Sequence, residues 1–218
     1  MSKDDKCVAM HEKPLLTEDE LVNKENKGIQ NVLVYVKAGW EKNKYQTPSD
    51  PVTINQEGCT YKPHVFGMMP GQKISILNSD DTTHNIHGLP SKSKEFNFGQ
   101  NKKGAKDEAT IDNPEFPVRI KCDIHPWMMT YVGVTRHPYF AVSGADGAFT
   151  IARVPAGRHT IRVWHERYGF LSRTVDVKAD GTATVDLSYT WKEKPSSASM
   201  EDLIVPAGTS SVYLAAAR

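Results

Sequence analysis

Short apolar or alternating runs recur along most of the chain, and they predict a nearly all-β protein. Asn31–Lys37 is a continuous β-branched run, typical of a strand covered on both faces. Gln72–Asn78 predicts a further strand. Thr17–Asn26 begins with a capping-box pattern and predicts one short helix. Residues 88–115 are mostly polar and predict a long loop.

The run Phe116–Lys121 decides the direction of the residue that follows it. Val118 and Ile120 share one face of this predicted strand, and the basic residues beside them occupy the other face. Because successive side chains in a strand alternate, Cys122 continues the apolar face. We therefore expect Cys122 to point inward at the end of the strand.

The spacing of predicted strands shortens after His137–Pro138. Five short strands follow, separated by turn signals such as Asp146–Gly147, and we expect them at 139–143, 148–152, 157–165, 172–177 and 182–189. Beyond residue 191 the chain is rich in small residues and predicts a loosely ordered tail. The predicted organisation is an N-terminal extension (1–30), a first domain (31–137), a β module (138–190) and a C-terminal tail (191–218).

Composition and charge exclude two classes of function. The 27 basic and 26 acidic residues leave a net charge of +1, so the concentrated positive field of a nucleic-acid-binding protein is missing. No apolar stretch approaches the roughly 20 residues of a membrane-spanning helix. We expect no binding to nucleic acid and no membrane-spanning segment.

The informative chemistry lies in the segment Cys122-Asp-Ile-His125-Pro-Trp-Met128. It offers a thiolate, an imidazole and a thioether from one short loop, which is the donor set that copper favours in both oxidation states. A second imidazole must come from elsewhere, and Thr83-His84-Asn85-Ile86-His87 offers it.

The two segments resemble the cupredoxin family. The C-x2-H-x2-M spacing is similar to its short amicyanin-type ligand loop, and H-N-I-H resembles its upstream histidine segment. The resemblance covers roughly residues 30–136 and implies a Greek-key β-sandwich with one type 1 (blue) copper. The implied ligands are His84, Cys122, His125 and Met128. Asn85 matches the residue that ties the histidine segment to the cysteine loop in this family.

The residues around the implied ligands carry further expectations. Pro126 removes a backbone N–H that could otherwise reach the thiolate, which favours Cu(II) somewhat. Trp127 and Met129, with Pro126, form an apolar collar, and we expect electrons to leave there through an exposed edge of His125. Met129 competes for the axial position, although the family pattern and its alternation favour Met128.

A zinc site is the alternative interpretation of the same residues. His84, His87, Cys122 and His125 form a plausible tetrahedral set, in which Met128 belongs only to the core. A second metal site is also conceivable, and its candidate ligands are Cys7, His11, Cys59 and His64.

Three cysteines limit the redox chemistry of the chain. If Cys122 binds a metal, Cys7 and Cys59 remain, either as a disulfide or as two buried thiols. A disulfide fits an oxidising compartment, so we expect a periplasmic or other extracytoplasmic location. The first residues lack the apolar core of a secretion signal, which weakens that expectation.

The segment after the first domain resembles a second family. Residues 139–190 are similar to the carboxypeptidase regulatory-like (transthyretin-like) β module, notably in Asp146-Gly-Ala-Phe-Thr-Ile and Val154-Pro-Ala-Gly-Arg-His-Thr-Ile. The resemblance implies a smaller β-sandwich and no particular activity.

Two functions remain open at this point. The first is a single-electron carrier, or an electron-transfer subunit of a larger protein complex, with redox proteins such as cytochrome c as the partners that the resemblance implies. Four protein ligands leave no open coordination position, and no nucleophile–base set is visible, so we expect no enzyme. The second is a structural or assembly subunit with a zinc or vestigial copper site.

Overall fold

The computed structural model describes residues 4–38 and 43–189, and the backbone of residues 209–216. This part of the chain is nearly all β, as the sequence predicts. No helix among these residues has the length and apolar character needed to cross a bilayer. The elements, in chain order, are α1 (Asp5–Ala9), β1 (Leu33–Val36), β2 (Val52–Gln56), β3 (Tyr61–Lys62), β4 (Val65–Met68), β5 (Lys73–Asn78), β6 (His84–Leu89), β7 (Phe96–Gln100), β8 (Lys106–Thr110), β9 (Glu115–Lys121), β10 (Met129–Val134), β11 (Phe140–Val142), β12 (Phe149–Val154), β13 (Gly157–His165), β14 (Gly169–Val177), β15 (Thr182–Ser188) and β16 (Thr209–Ala216).

The chain divides into two compact units, and the first comprises Met1–Thr17 and Tyr45–Pro138. Its strands form one sheet in the order β3-β2-β5-β8 and another in the order β4-β10-β9-β6-β7. The pairs β2–β5 and β4–β10 are parallel, and the other pairs in these sheets are antiparallel.

The two sheets of the first unit enclose one apolar core. Ile54, Ile74 and Ile76 come from the first sheet, and Ile86 and Ile120 from the second; all five are fully buried in a single cluster. Burying apolar surface from both sheets against each other is what stabilises a β-sandwich. The first unit is therefore a sandwich, with Cys122 at the edge of its core.

The prediction of a long loop over residues 88–115 is wrong. The segment contains β7, which pairs with β6, and β8, which pairs with β5. Both are edge strands, and four of the five residues of β8 are exposed. Strand β8 buries little surface and shows no apolar alternation, and in β7 the alternation is limited to Phe96 and Phe98, so both sequences look like those of a loop.

The predicted helix over Thr17–Asn26 is also absent. Residues 18–26 form turns, and Val22 makes an isolated bridge to Ile29. Glu20, the residue expected to close the helix cap, contacts Arg167 at 2.6 Å and accepts a hydrogen bond from the Tyr168 hydroxyl at 2.5 Å. Tertiary contacts replace the local cap, and the one described helix is α1.

The second unit comprises Glu18–Lys44 and Tyr139–Arg218. Its sheets have the orders β11-β1-β13-β14 and β12-β16-β15. Strand β1 therefore pairs with β11 and β13 and does not join the first unit, contrary to the predicted boundary at residue 31. A buried apolar run predicts a strand but does not specify its partner.

The C-terminal segment also differs from the expected loose tail. Strand β16 pairs in parallel with β12 and antiparallel with β15, and it forms the centre of a three-stranded sheet. Residues 190–208 lie outside the described part of the chain. The resemblance of residues 139–190 to a transthyretin-like module stays a prediction.

Candidate metal centre

Strand β6 and the end of β9 bring the two predicted segments together. Within β6, His84 and Ile86 are buried, whereas Asn85 and His87 face outward, as the period of two in a strand requires. The neighbouring strand β9 pairs with β6 at Lys121–His87 and ends immediately before Cys122. Cys122 is 2% exposed, which agrees with the inward direction expected from the alternation in β9.

The segment Cys122–Met128, called the ligand loop below, closes on itself. The N–H of Cys122 donates to the carbonyl of Met128 at 3.1 Å, and the N–H of Met128 donates to the carbonyl of His125 at 2.9 Å. These bonds bring three potential donor side chains to the same end of β9. Met128 is 1% exposed and lies in the same core cluster as Cys122, while its axial role stays a prediction.

Three donor atoms converge in a buried space. His84 Nδ1 lies 3.0 Å from His125 Nδ1, and Cys122 Sγ lies 3.8 Å from His125 Nδ1. All three atoms are within 4.8 Å of one another, and the three residues are at most 2% exposed. Segments 41 residues apart in the chain therefore offer two imidazole nitrogens and one thiol sulfur to the same point.

The sulfur of Cys122 accepts two backbone hydrogen bonds. The donors are the N–H groups of Asn85 at 3.4 Å and His125 at 3.3 Å. The Asn85 side chain accepts a hydrogen bond from the N–H of Asp123 at 2.9 Å, so it joins β6 to the ligand loop. Pro126 has no N–H, and the sulfur obtains its donors from these other positions. Such donors stabilise a thiolate.

A buried tyrosine adds a further constraint on the same strand. The Tyr61 hydroxyl donates a hydrogen bond to the backbone carbonyl of Asn85. Burial, reinforced by the nearby Cys122, raises the pKa of Tyr61 well above its usual value. The hydroxyl therefore stays protonated and serves as a fixed donor beside the site.

His84 is held from behind by a carboxylate. Its Nε2 lies 2.8 Å from Oδ2 of Asp80, a residue that is only 5% exposed. Asp80 also accepts the backbone N–H groups of Gly58 and Cys59, each at 2.8 Å. Burial lowers the pKa of His84 although Asp80 acts in the opposite direction, so the ring is neutral at physiological pH.

His125 has the same arrangement with a second carboxylate. Its Nε2 lies 3.1 Å from Oδ2 of Asp4, the N-cap residue of α1. The other oxygen of Asp4 accepts the N–H of Cys7 at 2.9 Å. This backbone hydrogen bond and, after it, the contact with His125 lower the pKa of Asp4, so the carboxylate is ionised at neutral pH.

The two carboxylates determine the chemistry at the Nδ1 atoms. A carboxylate oxygen accepts a hydrogen bond from Nε2 of each ring, which leaves Nδ1 as the ring nitrogen that presents a lone pair. The two Nδ1 atoms face each other across 3.0 Å beside the sulfur of Cys122, and two facing lone pairs repel each other. A cation between the three atoms removes this repulsion. The residues present fit a metal ion with a preference for nitrogen and sulfur donors.

The expected exposed edge of His125 is absent. His125 is 2% exposed, because Asp4 and Cys7 lie against its Nε2 side, with Cys7 Sγ at 3.6 Å. Residues 4–10, which contain α1, are called the N-terminal cap below. The sequence offers no local signal for this cover, since Asp4 is 121 residues away from His125.

The predicted electron-transfer residues are partly buried. Trp127 donates its indole N–H to the carbonyl of Cys59 at 3.0 Å, and it thereby fastens the ligand loop to the turn at Gly58–Cys59. Met129 opens β10 and is also partly buried. Pro126 and Ile124 are exposed, with Ile124 at 50%.

The structure confirms the disulfide between Cys7 and Cys59. This bond excludes the conceivable second metal site through these cysteines, because neither sulfur is available as a thiolate. His11 instead contacts the carbonyl of Gly58 at 2.8 Å. His64 packs against the ring of Tyr131, with the ring centroids 6.0 Å apart.

The zinc set with His87 is not assembled. His87 lies on the outer face of β6, where its Nδ1 contacts Asp123 at 2.9 Å and its Nε2 contacts Glu95 at 2.7 Å. Both of its nitrogens are therefore engaged away from the site. His84, Cys122 and His125 remain as the shared donors of either metal.

Comparison with known proteins finds distant similarity to solved structures. No protein-family model and no curated protein matches the chain. A copper-containing nitrite reductase from Thermus scotoductus SA-01 is 22% identical over 46% of this chain and 25% of its own, with a TM-score of 0.37. A purple cupredoxin from Nitrosopumilus maritimus is 21% identical over 38% of this chain and 99% of its own, with a TM-score of 0.34.

A third structural neighbour is an amicyanin variant in the Cu(I) state. It is 17% identical over 39% of this chain and 82% of its own, with a TM-score of 0.35. The structural neighbours are cupredoxins. The chain spans only a quarter of the nitrite reductase it matches. At these identities and TM-scores the likenesses assign no function to this chain.

Proposed function

We propose that this protein binds one type 1 copper ion and transfers single electrons between redox partners. The observation that carries the proposal is the convergence of His84 Nδ1, His125 Nδ1 and Cys122 Sγ in a buried space. Two imidazoles and one thiolate form the strong plane of a type 1 centre, and a distant thioether completes it. Met128, buried at the end of the ligand loop, supplies that thioether in the proposal.

The surroundings favour electron transfer over catalysis. His84 and His125 are each held at Nε2 by a carboxylate, and Cys122 is held by two backbone N–H groups. Ligands fixed in this way rearrange little when the charge on the metal changes. The donors are buried, and with Met128 they leave no open coordination position for a substrate.

Partners approach the surface of the ligand loop in this proposal. Exposed Ile124 and Pro126, together with the partly exposed Trp127 and Met129, provide a small apolar area that suits a brief encounter. Redox proteins such as a cytochrome c, or another subunit of a larger complex, fit this role. The disulfide is consistent with a periplasmic or other extracytoplasmic location.

The decisive experiment is the visible and electron paramagnetic resonance spectrum of the protein loaded with Cu(II). We expect an intense thiolate-to-copper absorption, which Cys122→Ser removes and His87→Ala leaves unchanged. His87 is the matched control, because it lies on the same strand but faces away from the site. A wild-type protein that binds Cu(II) without this absorption contradicts the proposal.

A paired substitution tests the axial ligand. Met128→Ala should change the relative intensities of the thiolate-to-copper absorption bands and shift the reduction potential measurably. Met129→Ala should leave both near the wild-type values. The reverse result assigns the axial position to Met129. Reversible one-electron voltammetry separates the redox proposal from the alternative of a structural subunit with a zinc site, for which no reversible wave is expected.

A further inference from the structure

The N-terminal cap supplies one of the two carboxylates that hold the histidines of the candidate site. Asp4 occupies the same position relative to His125 as Asp80 does relative to His84: a carboxylate oxygen near Nε2, at 3.1 Å and 2.8 Å respectively. Asp80 belongs to the loop before β6, four residues from the histidine that it holds. Asp4 comes from a part of the chain that is distant in sequence, 121 residues away from His125.

We propose that Asp4 is a positioning residue of the metal centre, held against His125 by the Cys7–Cys59 disulfide. The proposal rests on the assignment of His125 as a metal ligand. Asp4 fixes the Nε2–H form of His125, turns Nδ1 toward Cys122, and makes the imidazole a stronger donor. The N-terminal cap is therefore part of the centre itself and not only a cover.

A connected series of contacts supports the placement of Asp4. Its carboxylate is shared, with one oxygen on the N–H of Cys7 and the other on His125. Cys7 is bonded to Cys59, whose N–H donates to Asp80 and whose carbonyl accepts from Trp127 of the ligand loop. The disulfide thus joins the supports of both histidines.

The burial pattern agrees with a specific contact. His125 is 2% exposed while the side chain of Asp4 is 30% exposed, so the carboxylate covers the ring and keeps access to water on its other side. The neighbouring Asp5 is exposed and contributes only to the first turn of α1. It offers a control that changes the charge equally without touching His125.

The expected effect has a definite sign. A carboxylate on the remote nitrogen strengthens the imidazole as a donor, and it stabilises Cu(II) more than Cu(I). Loss of such a contact lowers metal affinity by about 10- to 100-fold. If the loss falls on Cu(II), the potential rises by about 60–120 mV, at about 59 mV per tenfold change for one electron.

The first test compares Asp4→Asn and Asp4→Ser with Asp5→Asn in the full chain. Asn and Ser both serve as N-caps, so α1 is retained, but neither supplies the negative charge on His125. We expect a higher potential and weaker Cu(II) binding in both Asp4 variants, and values near wild type in Asp5→Asn. Equal potentials in all three variants overturn the proposal.

A double-mutant cycle tests the role of the disulfide. If Cys7–Cys59 acts by holding Asp4, then Asp4→Asn should shift the potential less in a Cys7→Ala/Cys59→Ala protein than in the wild type. Alanine at both positions avoids new thiols near the metal. An undiminished shift in the disulfide-free protein shows that the bond is not what places Asp4, and it rejects that half of the proposal.

A metal-free measurement separates this inference from the proposed function. The ¹⁵N shifts of His125 in the apo protein report its tautomer, which should be Nε2–H in the wild type and mixed in Asp4→Ser. An unchanged tautomer refutes the Asp4 contact whatever metal is bound. A wild-type protein without the Cys122-dependent absorption refutes the copper centre. The tautomer measurement tests the contact between Asp4 and His125 independently of that result.

Discussion

Replacing Asp80 by alanine removes the anchor of both β6 and the turn at Gly58–Cys59. The carboxylate, 5% exposed, accepts hydrogen bonds from the backbone of Gly58 and Cys59 and contacts Nε2 of His84. Alanine leaves these donors without their partner. Cys59 and His84 are both fully buried, so their N–H groups lose a partner where water does not reach them.

The magnitude follows from the number of buried donors that lose a partner. A buried donor without a hydrogen bond costs about 1–3 kcal/mol. Two fully buried donors, with a smaller term from the half-buried Gly58, give about 2–6 kcal/mol. This is a large share of the about 5–15 kcal/mol that stabilises a typical domain.

The assay is peptide-resolved hydrogen exchange of the metal-free full chain under mild urea. The two units need not unfold together, so strands β13 and β14 of the second unit serve as the internal reference. Asp81→Ala is the matched control, because Asp81 is exposed and surface substitutions usually change stability by less than about 0.5 kcal/mol. Equal exchange from β5 and β6 in the two variants refutes the reasoning.

Three further predictions concern other parts of the chain. Burial raises the pKa of Glu115, but hydrogen bonds from Ser91 and from the N–H of Lys92 hold that pKa below its usual 4.5. The stabilisation from these bonds is therefore complete above about pH 4.5 and is lost as the pH falls through the lowered pKa. In Glu115→Gln the unfolding midpoint of the first unit should depend less on pH between about pH 3 and 5. A Cβ at Gly88 would lie 2.2 Å from Cζ of Phe96, so Gly88→Ala should destabilise the first unit by about 1–3 kcal/mol in urea unfolding, and by clearly less in a Phe96→Ala background. Deleting residues 209–218 removes β16 from between β12 and β15, so amide exchange in those two strands should accelerate while β13 and β14 change less; uniform protection would contradict the pairing.

The strands that could be predicted are those with two buried faces or a clear alternation. The alternation in Phe116–Lys121 predicts a strand and the inward direction of Cys122, and the structure confirms both. Strands β7 and β8 could not be predicted, because both are edge strands: β8 is mostly exposed, and β7 buries only Gln100 fully. The strands that pair with β1 could not be predicted either, because pairing depends on the whole sheet and not on the local sequence pattern.

The candidate ligands could be predicted because copper demands particular atoms at particular spacings. His84, Cys122 and His125 were chosen for their chemistry, and the structure brings their donor atoms together. Asp4 and Asp80 carry no such signal. Aspartates are common in polar segments, and only the fold shows which of them lie behind a histidine ring.

The covered state of His125 changes how an electron would enter or leave. With the ring edge behind Asp4 and Cys7, a partner cannot touch it while the N-terminal cap is in place. Under the proposed function, electrons would reach the centre through the ligand loop at the exposed Ile124, or through the cap, whose Cys7 sulfur lies 3.6 Å from Nε2 of His125. With Asp4 and Cys7 against its Nε2, the His125 ring would also have little freedom to turn away from a bound metal when the oxidation state of that metal changes. The arrangement therefore removes direct access to His125 and fixes its geometry, which is the property that the proposed outer-sphere transfer would require.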